Sequence, residues 1–256
     1  MSNIYRKFSE AINPEIKRQI KIYLEQLFGV VKREYFSQFG EDAVLQAWFI
    51  SRAWQNSHDK HIPYFQNPKI EKGFYVDVGA FSPIRYSNTY WFYKRGWRGI
   101  NIDATPGSMI GFNRIRPRDI NIEVAISDQQ DEFILFKFPR DGINTLSAKY
   151  AQDYEKRFDQ KPIQIRIKTR RLDNILDEYL PENQSINFLT IDVEGYDLNV
   201  LRSNNWKKYH PELVIVEFHE NNIEKILNSE LSSLMYSLGY VLHSWVKPSL
   251  IWRRQN

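Results

Sequence analysis

Apolar and polar positions follow two different rhythms along this chain. Near the N-terminus Ile16, Ile20, Leu24, Leu27 and Val31 recur every three or four residues, the spacing of one helix face. Pro14 stands near the start of that run, where a helix tolerates proline. A second helix is predicted over 38–54, with Val44, Leu45, Trp48 and Phe49 as its apolar face. Residues 56–72, with two prolines and mixed polarity, read as a connecting loop. From Gly73 onward, short apolar runs alternate with helical stretches. Phe74–Ala80, Trp97–Asp103, Asn121–Ser127, Asn187–Asp192 and Glu212–Phe218 read as five successive strands of parallel type. Helices are predicted at 86–95, 106–115, 171–180 and 220–238. Phe133–Phe138 adds an edge-like strand, and Ile163, Ile165 and Ile167 alternate with polar residues, which suggests one buried face. Tyr240–Val246 and Leu250–Arg253 can close the fold as a hairpin turned at Lys247-Pro248-Ser249.

Repeated β-α-β units of this length imply an α/β architecture: a doubly wound, mostly parallel, seven-stranded sheet with right-handed crossovers. The N-terminal amphipathic stretch makes residues 1–36 a helical extension ahead of one domain, 37–256. Such an extension would dock on the domain or join a second copy as a homodimer. In sheets of this kind ligands sit beyond the carboxyl ends of the central strands, where strand order reverses.

Composition narrows the chemistry. The 256 residues include no cysteine, which removes disulfides, thiolate metal sites and cysteine nucleophiles. No stretch approaches the ~18 consecutive apolar residues of a membrane span, and no signal-peptide core is apparent, so a soluble, cytoplasmic protein is expected. The net charge of +4 is placed unevenly: residues 1–36 hold seven basic and four acidic side chains. The nearly neutral remainder lacks the basic stripe of a nucleic-acid surface. No [DN]-Pro-Pro-[YFW] motif occurs either, which disfavours methylation of a nucleic-acid base.

Four predicted strand ends carry acids: Asp77, Asp103, Asp192 and Glu217, the last followed by His219. Carboxylates are rarely buried unpaired, so a row of them at one sheet edge points to ligand contacts. A glycine just after the first strand lets a ligand approach the backbone. An acid ending the second strand, 26 positions after Asp77, can accept the hydroxyls of an adenosine ribose. The G-x-G-x-x-G fingerprint is absent, because Ala80, Phe81, Ser82 and Pro83 follow Gly79. A pyrophosphate would find little room there, which counts against a nicotinamide-dependent oxidoreductase. An adenosine cofactor without phosphate, S-adenosylmethionine, meets the description.

Six motifs in series carry a resemblance. Ser37-Gln38-x-Gly40-Glu41-Asp42, Gly73–Ala80, Ser87-Asn88-Thr89, Gly96–Ala104, Thr169-x-x-Leu172-Asp173 and Ile191–Asp197 together resemble the FkbM-type S-adenosylmethionine-dependent methyltransferases over residues 36–220. The resemblance implies a class I, Rossmann-like methyltransferase. Asp77, Gly79 and Ala80 would line the methionine moiety, and Gln38 with Ser87, Asn88 and Thr89 would close that end. Asp103 and Ala104 would meet the ribose, and Ala125, Ile126 and Ser127 would border the adenine. The chain departs from the commonest pattern of the family at Phe81-Ser82-Pro83. Members mostly methylate hydroxyl groups of sugars, in surface polysaccharides such as capsule or lipopolysaccharide, or in glycosylated natural products. A binding module that keeps the cofactor fold without catalysis is the non-enzymatic alternative.

Methyl transfer to a sugar hydroxyl requires alignment and removal of the hydroxyl proton. The candidates at this edge are Asp192, Glu217 and His219, and histidine is the side-chain type that titrates near neutrality. The same three residues could instead supply ligands to Mg²⁺ or Mn²⁺. Glu194, Tyr196, Tyr86 and Asn144 are candidate contacts for the sugar or nucleotide-sugar acceptor, the aromatic rings by stacking. Arg85, Arg140 and Arg170 could meet a nucleotide diphosphate.

Overall fold

The runs richest in β-branched and aromatic residues become strands, and the helices that cover them bury both sheet faces. The computed structural model describes residues 34–56, 70–140 and 142–255, with Asn13, Ile16 and Gln19 besides. The expected N-terminal helix and most of the expected loop at 56–72 lie outside the described residues. In chain order the elements are α1 (Glu41–Asn56), β1 (Phe74–Val78), α2 (Tyr90–Lys94), β2 (Arg98–Asp103), α3 (Met109–Ile115), β3 (Ile120–Glu123), β4 (Ala125–Ile126) and β5 (Glu132–Lys137). Then follow α4 (Ala148–Phe158), β6 (Ile163–Arg170), α5 (Leu172–Tyr179), β7 (Phe188–Ile191), α6 (Asp197–Arg202) and β8 (Leu213–Glu217). Helices α7 (Ile223–Leu227) and α8 (Glu230–Ser237) lead to the hairpin β9 (Tyr240–Val246) and β10 (Ser249–Arg254). All of them belong to one compact unit, Tyr35–Asn256.

The main sheet has seven strands in the order β3-β2-β1-β7-β8-β10-β9. The first five are parallel and β10 runs antiparallel to both of its neighbours. Strand order reverses between β1 and β7, which places the ligand crevice at their carboxyl ends. Every residue of β1 and β7 is buried, as a parallel strand covered on both faces requires. Val76, Ile100, Leu189 and Val214 pack on one side of the sheet. Tyr75, Phe92, Trp97, Phe188 and Ile251 pack on the other, under Leu45 and Phe49 of α1.

Three expectations from the sequence are revised. The third strand is not one element: Ile120–Glu123 completes the main sheet, whereas Ala125–Ile126 joins a second sheet of order β4-β6-β5. The joint lies at Val124, whose N–H donates to the Asp103 carbonyl at 3.0 Å. The helix expected over 220–238 is two, because Ser229 caps a fresh start by accepting the Ser232 N–H. Helices α4 and α6, not expected from the pattern, fill the stretches before β6 and after β7. Ser147 starts α4 by accepting the Tyr150 N–H, and Tyr150, Ala151, Tyr154 and Phe158 form its inner face.

Behind β1 and β2 lies a buried polar hub. Arg116 is fully buried and pairs with Asp119 at 2.9 Å. Asp119 also accepts from Tyr75 Oη (2.7 Å), the Gly99 N–H (3.1 Å) and Asn101 Nδ2 (3.1 Å). Arg116 reaches on to Thr89 Oγ1 at 3.0 Å, and Thr89 donates to Asp77 at 2.8 Å. Burial lifts the Asp77 pKa to about 6 against the opposing pull of Arg116.

Candidate active site

A cavity of about 650 Å³ opens at the carboxyl ends of β1, β2, β7 and β8, a volume within the ~300–1,000 Å³ usual for small-molecule sites. Of the residues expected to hold a cofactor, Gln38, Gly79, Asn88, Asp103, Ala104, Ala125 and Ile126 line it. Asp192, Glu217 and His219 line it too, as do Tyr86, Asn144, Glu194 and Tyr196. Asp77, Ala80, Ser87, Thr89 and Ser127 stand behind the wall. Asp77, Ser87 and Thr89 are tied into the Arg116 hub, Ala80 packs on Met109 and Phe112, and Ser127 is buried beside β6. Arg170 lies away from the cavity and pairs with Glu178 at 2.6 Å.

The backbone itself shapes the cofactor half. Gly79 has φ +84°, and a Cβ there would sit 1.7 Å from the Asp192 carbonyl oxygen. Only glycine allows the first strand to turn this close to β7. The Gly79 and Ala80 N–H groups donate to the Ile102 carbonyl at 2.9 and 3.0 Å, closing the turn against β2. The Asp103 carboxylate is fixed by the Thr105 N–H (2.8 Å) and the Phe81 N–H (3.1 Å), one on each oxygen. A carboxylate offers about four acceptor sites, so Asp103, which lines the cavity, has capacity to accept ribose hydroxyls besides these two N–H groups. Val124, Ala125, Ile126 and Leu135 form an apolar slot beside it that suits a flat base. These residues fit an adenosine cofactor.

The other half is acidic. Glu194 and Gly195 both adopt positive φ, 53° and 88°, and this turn aims the Glu194 carboxylate into the cavity. Strain of this kind at a non-glycine residue persists where the surroundings enforce it. Here the Thr145 hydroxyl donates to the Glu194 carbonyl (2.8 Å), and Asp197 accepts the N–H groups of Val193 (3.2 Å) and Gly195 (3.0 Å). Tyr154 Oη donates to the Glu194 carboxylate. Glu217 ends β8, and its Oε2 lies 3.3 Å from His219 Nε2. That oxygen is buried and accepts no hydrogen bond. The Tyr150 ring lies 6.2 Å from the imidazole and fills the space above Gly195. The side chain of Asn144 is used within the protein, accepting the Phe138 N–H and donating to Thr105.

Pattern reading missed Tyr154, which lines the cavity, and Tyr150, which lies beside His219. Their signal is the four-residue spacing after the cap at Ser147. Among the described residues, Glu194, Glu217 and His219 offer ligand atoms within 4.8 Å of one another, close enough to share one cation. Asp192, expected in that set, is not part of it.

Crowded carboxyls repel one another when ionised. Burial, reinforced by neighbouring acids, raises both Glu194 and Glu217 to about 8. Asp197 is raised by burial to about 6. Asp192 is open to the cavity but surrounded by protein, and this desolvation with the adjoining Glu217 carboxyl lifts it well above the ordinary range. The folded chain therefore holds these protons more tightly than the unfolded chain does. That contribution to stability is complete below the ordinary carboxylate range and is lost as pH rises toward 8. The melting temperature is expected to fall between pH 5 and pH 8.5, by ~2–4 °C for each kcal/mol lost. Glu217→Gln should flatten the upper part of that slope, which differential scanning calorimetry of both proteins would show.

A parallel sheet with this strand order, a reversed strand at its sixth position and a cavity at the switch point define the class I methyltransferase fold. The chain belongs to the FkbM methyltransferase family: the methyltransferase FkbM domain matches residues 77–242. Among solved structures, a TehB-like SAM-dependent methyltransferase from Corynebacterium glutamicum aligns at 10% identity and a TM-score of 0.42, over 95% of this chain and 100% of that one. An O-methyltransferase from Bacillus cereus, solved in complex with SAH, aligns at 10% identity and a TM-score of 0.36, over 98% and 96%. No curated protein matches the chain. No described helix is long and apolar enough to cross a membrane.

Proposed function

We propose that this methyltransferase is an O-methyltransferase acting on a hydroxyl of a sugar or nucleotide-activated sugar, in cytoplasmic assembly of a surface polysaccharide. The observation that carries this reading is the pairing, in one cavity, of an adenosine-shaped cradle with the Glu217–His219 dyad. S-adenosylmethionine supplies, when bound, an electrophilic methyl group on a sulfonium. Asp103 would accept its ribose hydroxyls, and Gly79 would let its methionine end lie against the backbone. His219 takes the proton of the acceptor hydroxyl, and Glu217, whose Oε2 lies 3.3 Å from Nε2, occupies that side of the ring and leaves Nδ1 for the acceptor. Asp192 hydrogen-bonds to Glu217 as the protonated partner, which makes it a poor base at neutral pH. A divalent cation such as Mg²⁺ or Mn²⁺ on Glu194, Glu217 and His219 is the second reading. Full activity after exhaustive chelation would remove it.

S-adenosylhomocysteine at a hundred times its Kd is expected to add about 2.7 kcal/mol to stability, whereas NAD should add nothing. Asp103→Ala should weaken S-adenosylhomocysteine by ~10–100-fold, the worth of its charge-assisted hydrogen bonds. Calorimetric titration checks both, and stabilisation by NAD instead would overturn the cofactor assignment. Labelled methyl transfer from S-adenosylmethionine onto a panel of nucleotide sugars tests the acceptor class; labelling of none of them, with cofactor binding intact, would overturn it.

A further inference from the structure

We infer that the acceptor carries a phosphate or diphosphate ester, held at the cavity rim by Arg140, Arg157 and Arg85. This deepens the sugar-acceptor reading and rests on it. All three arginines line the cavity and are exposed. Among the described residues none of them has a carboxylate partner, in contrast to Arg170, Arg171 and Arg202 elsewhere on the surface. They are positioned by aromatic rings instead. The guanidinium carbons of Arg140 and Arg157 lie 4.7 and 5.3 Å from the centroid of the same Phe158 ring. Two like charges so close, with no acid between them, await an anion. An arginine seated on a ring face keeps its N–H edge free for a bidentate oxyanion.

The opposite lip repeats the arrangement. Arg85 lies 5.7 Å from the Phe81 ring and 5.1 Å from the Tyr86 ring, and those rings are stacked at 14°. Phe81 and Tyr86 both adopt positive φ, 46° and 59°, which is uncommon for bulky residues and typical of functional loops. The lips meet at Gly142, where an added Cβ would lie 3.4 Å from the Phe81 ring.

Helix α4 sets the distance from this rim to the chemistry. Tyr150, Tyr154 and Phe158 form a ladder of rings, each 5.8 Å from the next. Tyr150 lies beside His219, and Phe158 lies under the arginines. Eight residues of helix span about 12 Å, the scale of a hexose with its diphosphate ester. The cavity's lining arginines are Arg85, Arg140 and Arg157, while the floor at Glu194 and Glu217 offers carboxyl groups and no such cation. Complementarity therefore favours one polarity: phosphoryl at the rim, hydroxyl at His219.

Calorimetric titration of the S-adenosylhomocysteine-loaded protein with inorganic pyrophosphate and with uridine diphosphate tests the proposal. Both probes should bind, and Arg140→Gln/Arg157→Gln should weaken each at least tenfold with S-adenosylhomocysteine affinity unchanged. With a nucleotide-sugar acceptor the same variant should raise KM and leave kcat nearly intact. Tighter binding of uridine diphosphate than of pyrophosphate would assign the ester to a nucleotide, and equal binding would assign recognition to the phosphoryl groups alone; either supports the site. No binding of either probe to the wild-type protein, or unchanged binding to the variant, would overturn it. Loss of S-adenosylhomocysteine binding by the wild-type protein would instead count against the cofactor reading.

Discussion

His219→Ala is expected to lower kcat by ~10²–10⁴-fold, the usual contribution of a positioned general base, with S-adenosylhomocysteine affinity within twofold of wild type. The imidazole sits two residues past the end of β8, half-exposed, with Glu217 3.3 Å from Nε2. It does not touch the cofactor cradle formed by Gly79 and Asp103, which is why binding and turnover should separate. Tyr154→Phe serves as the control. It removes the hydroxyl that holds Glu194 but leaves the His219–Glu217 pair, so it should lower kcat less. An unchanged kcat in His219→Ala would transfer the base role elsewhere; a parallel loss of cofactor binding would make the residue structural.

Much of this site was legible because strand ends are where pattern and chemistry coincide. Asp103, Asp192 and Glu217 each close an apolar run, and the doubly wound topology brings such ends together at one edge. The direction of a side chain is a different matter. Asp77 ends a strand as Asp103 does, yet Thr89 and Arg116 draw its carboxyl into the protein. No local pattern announces that, since Arg116 is 39 positions away in the chain. Helix α4 was missed because its apolar face is sparse and covers a loop-edged cluster of Phe138, Ala151 and Tyr154 rather than the main core. With α4 hidden, the arginines could not be sorted either. Arg157 lies on that helix and meets Arg140 only across Phe158, whereas Arg170, on an alternating strand, looked equally available and is paired with Glu178.

Asp119→Ala is expected to cost about 3–5 kcal/mol of stability, the typical penalty for leaving a buried charge without its partner. Asp119 accepts from Arg116, Tyr75, Gly99 and Asn101, and none of these donors has water to turn to. Arg116 would remain fully buried, facing only Thr89, Ser87, the Tyr75 hydroxyl and the more distant Asp77. Asp77, held near 6 by burial in the native protein, is the remaining acid of the hub. The unpaired guanidinium should draw its charge out and lower its pKa, so the loss of stability should be greatest at low pH, where Asp77 is neutral. Urea unfolding at pH 5 and pH 8 would measure both the size and this dependence. The double variant Asp119→Ala/Arg116→Met tests the cause: removing the stranded cation should return part of the lost stability. If the double variant is less stable than the single one by a further full increment, the hub is not an ion-pair network but a packing unit, and the position of β1 behind Gly79 is set by shape alone.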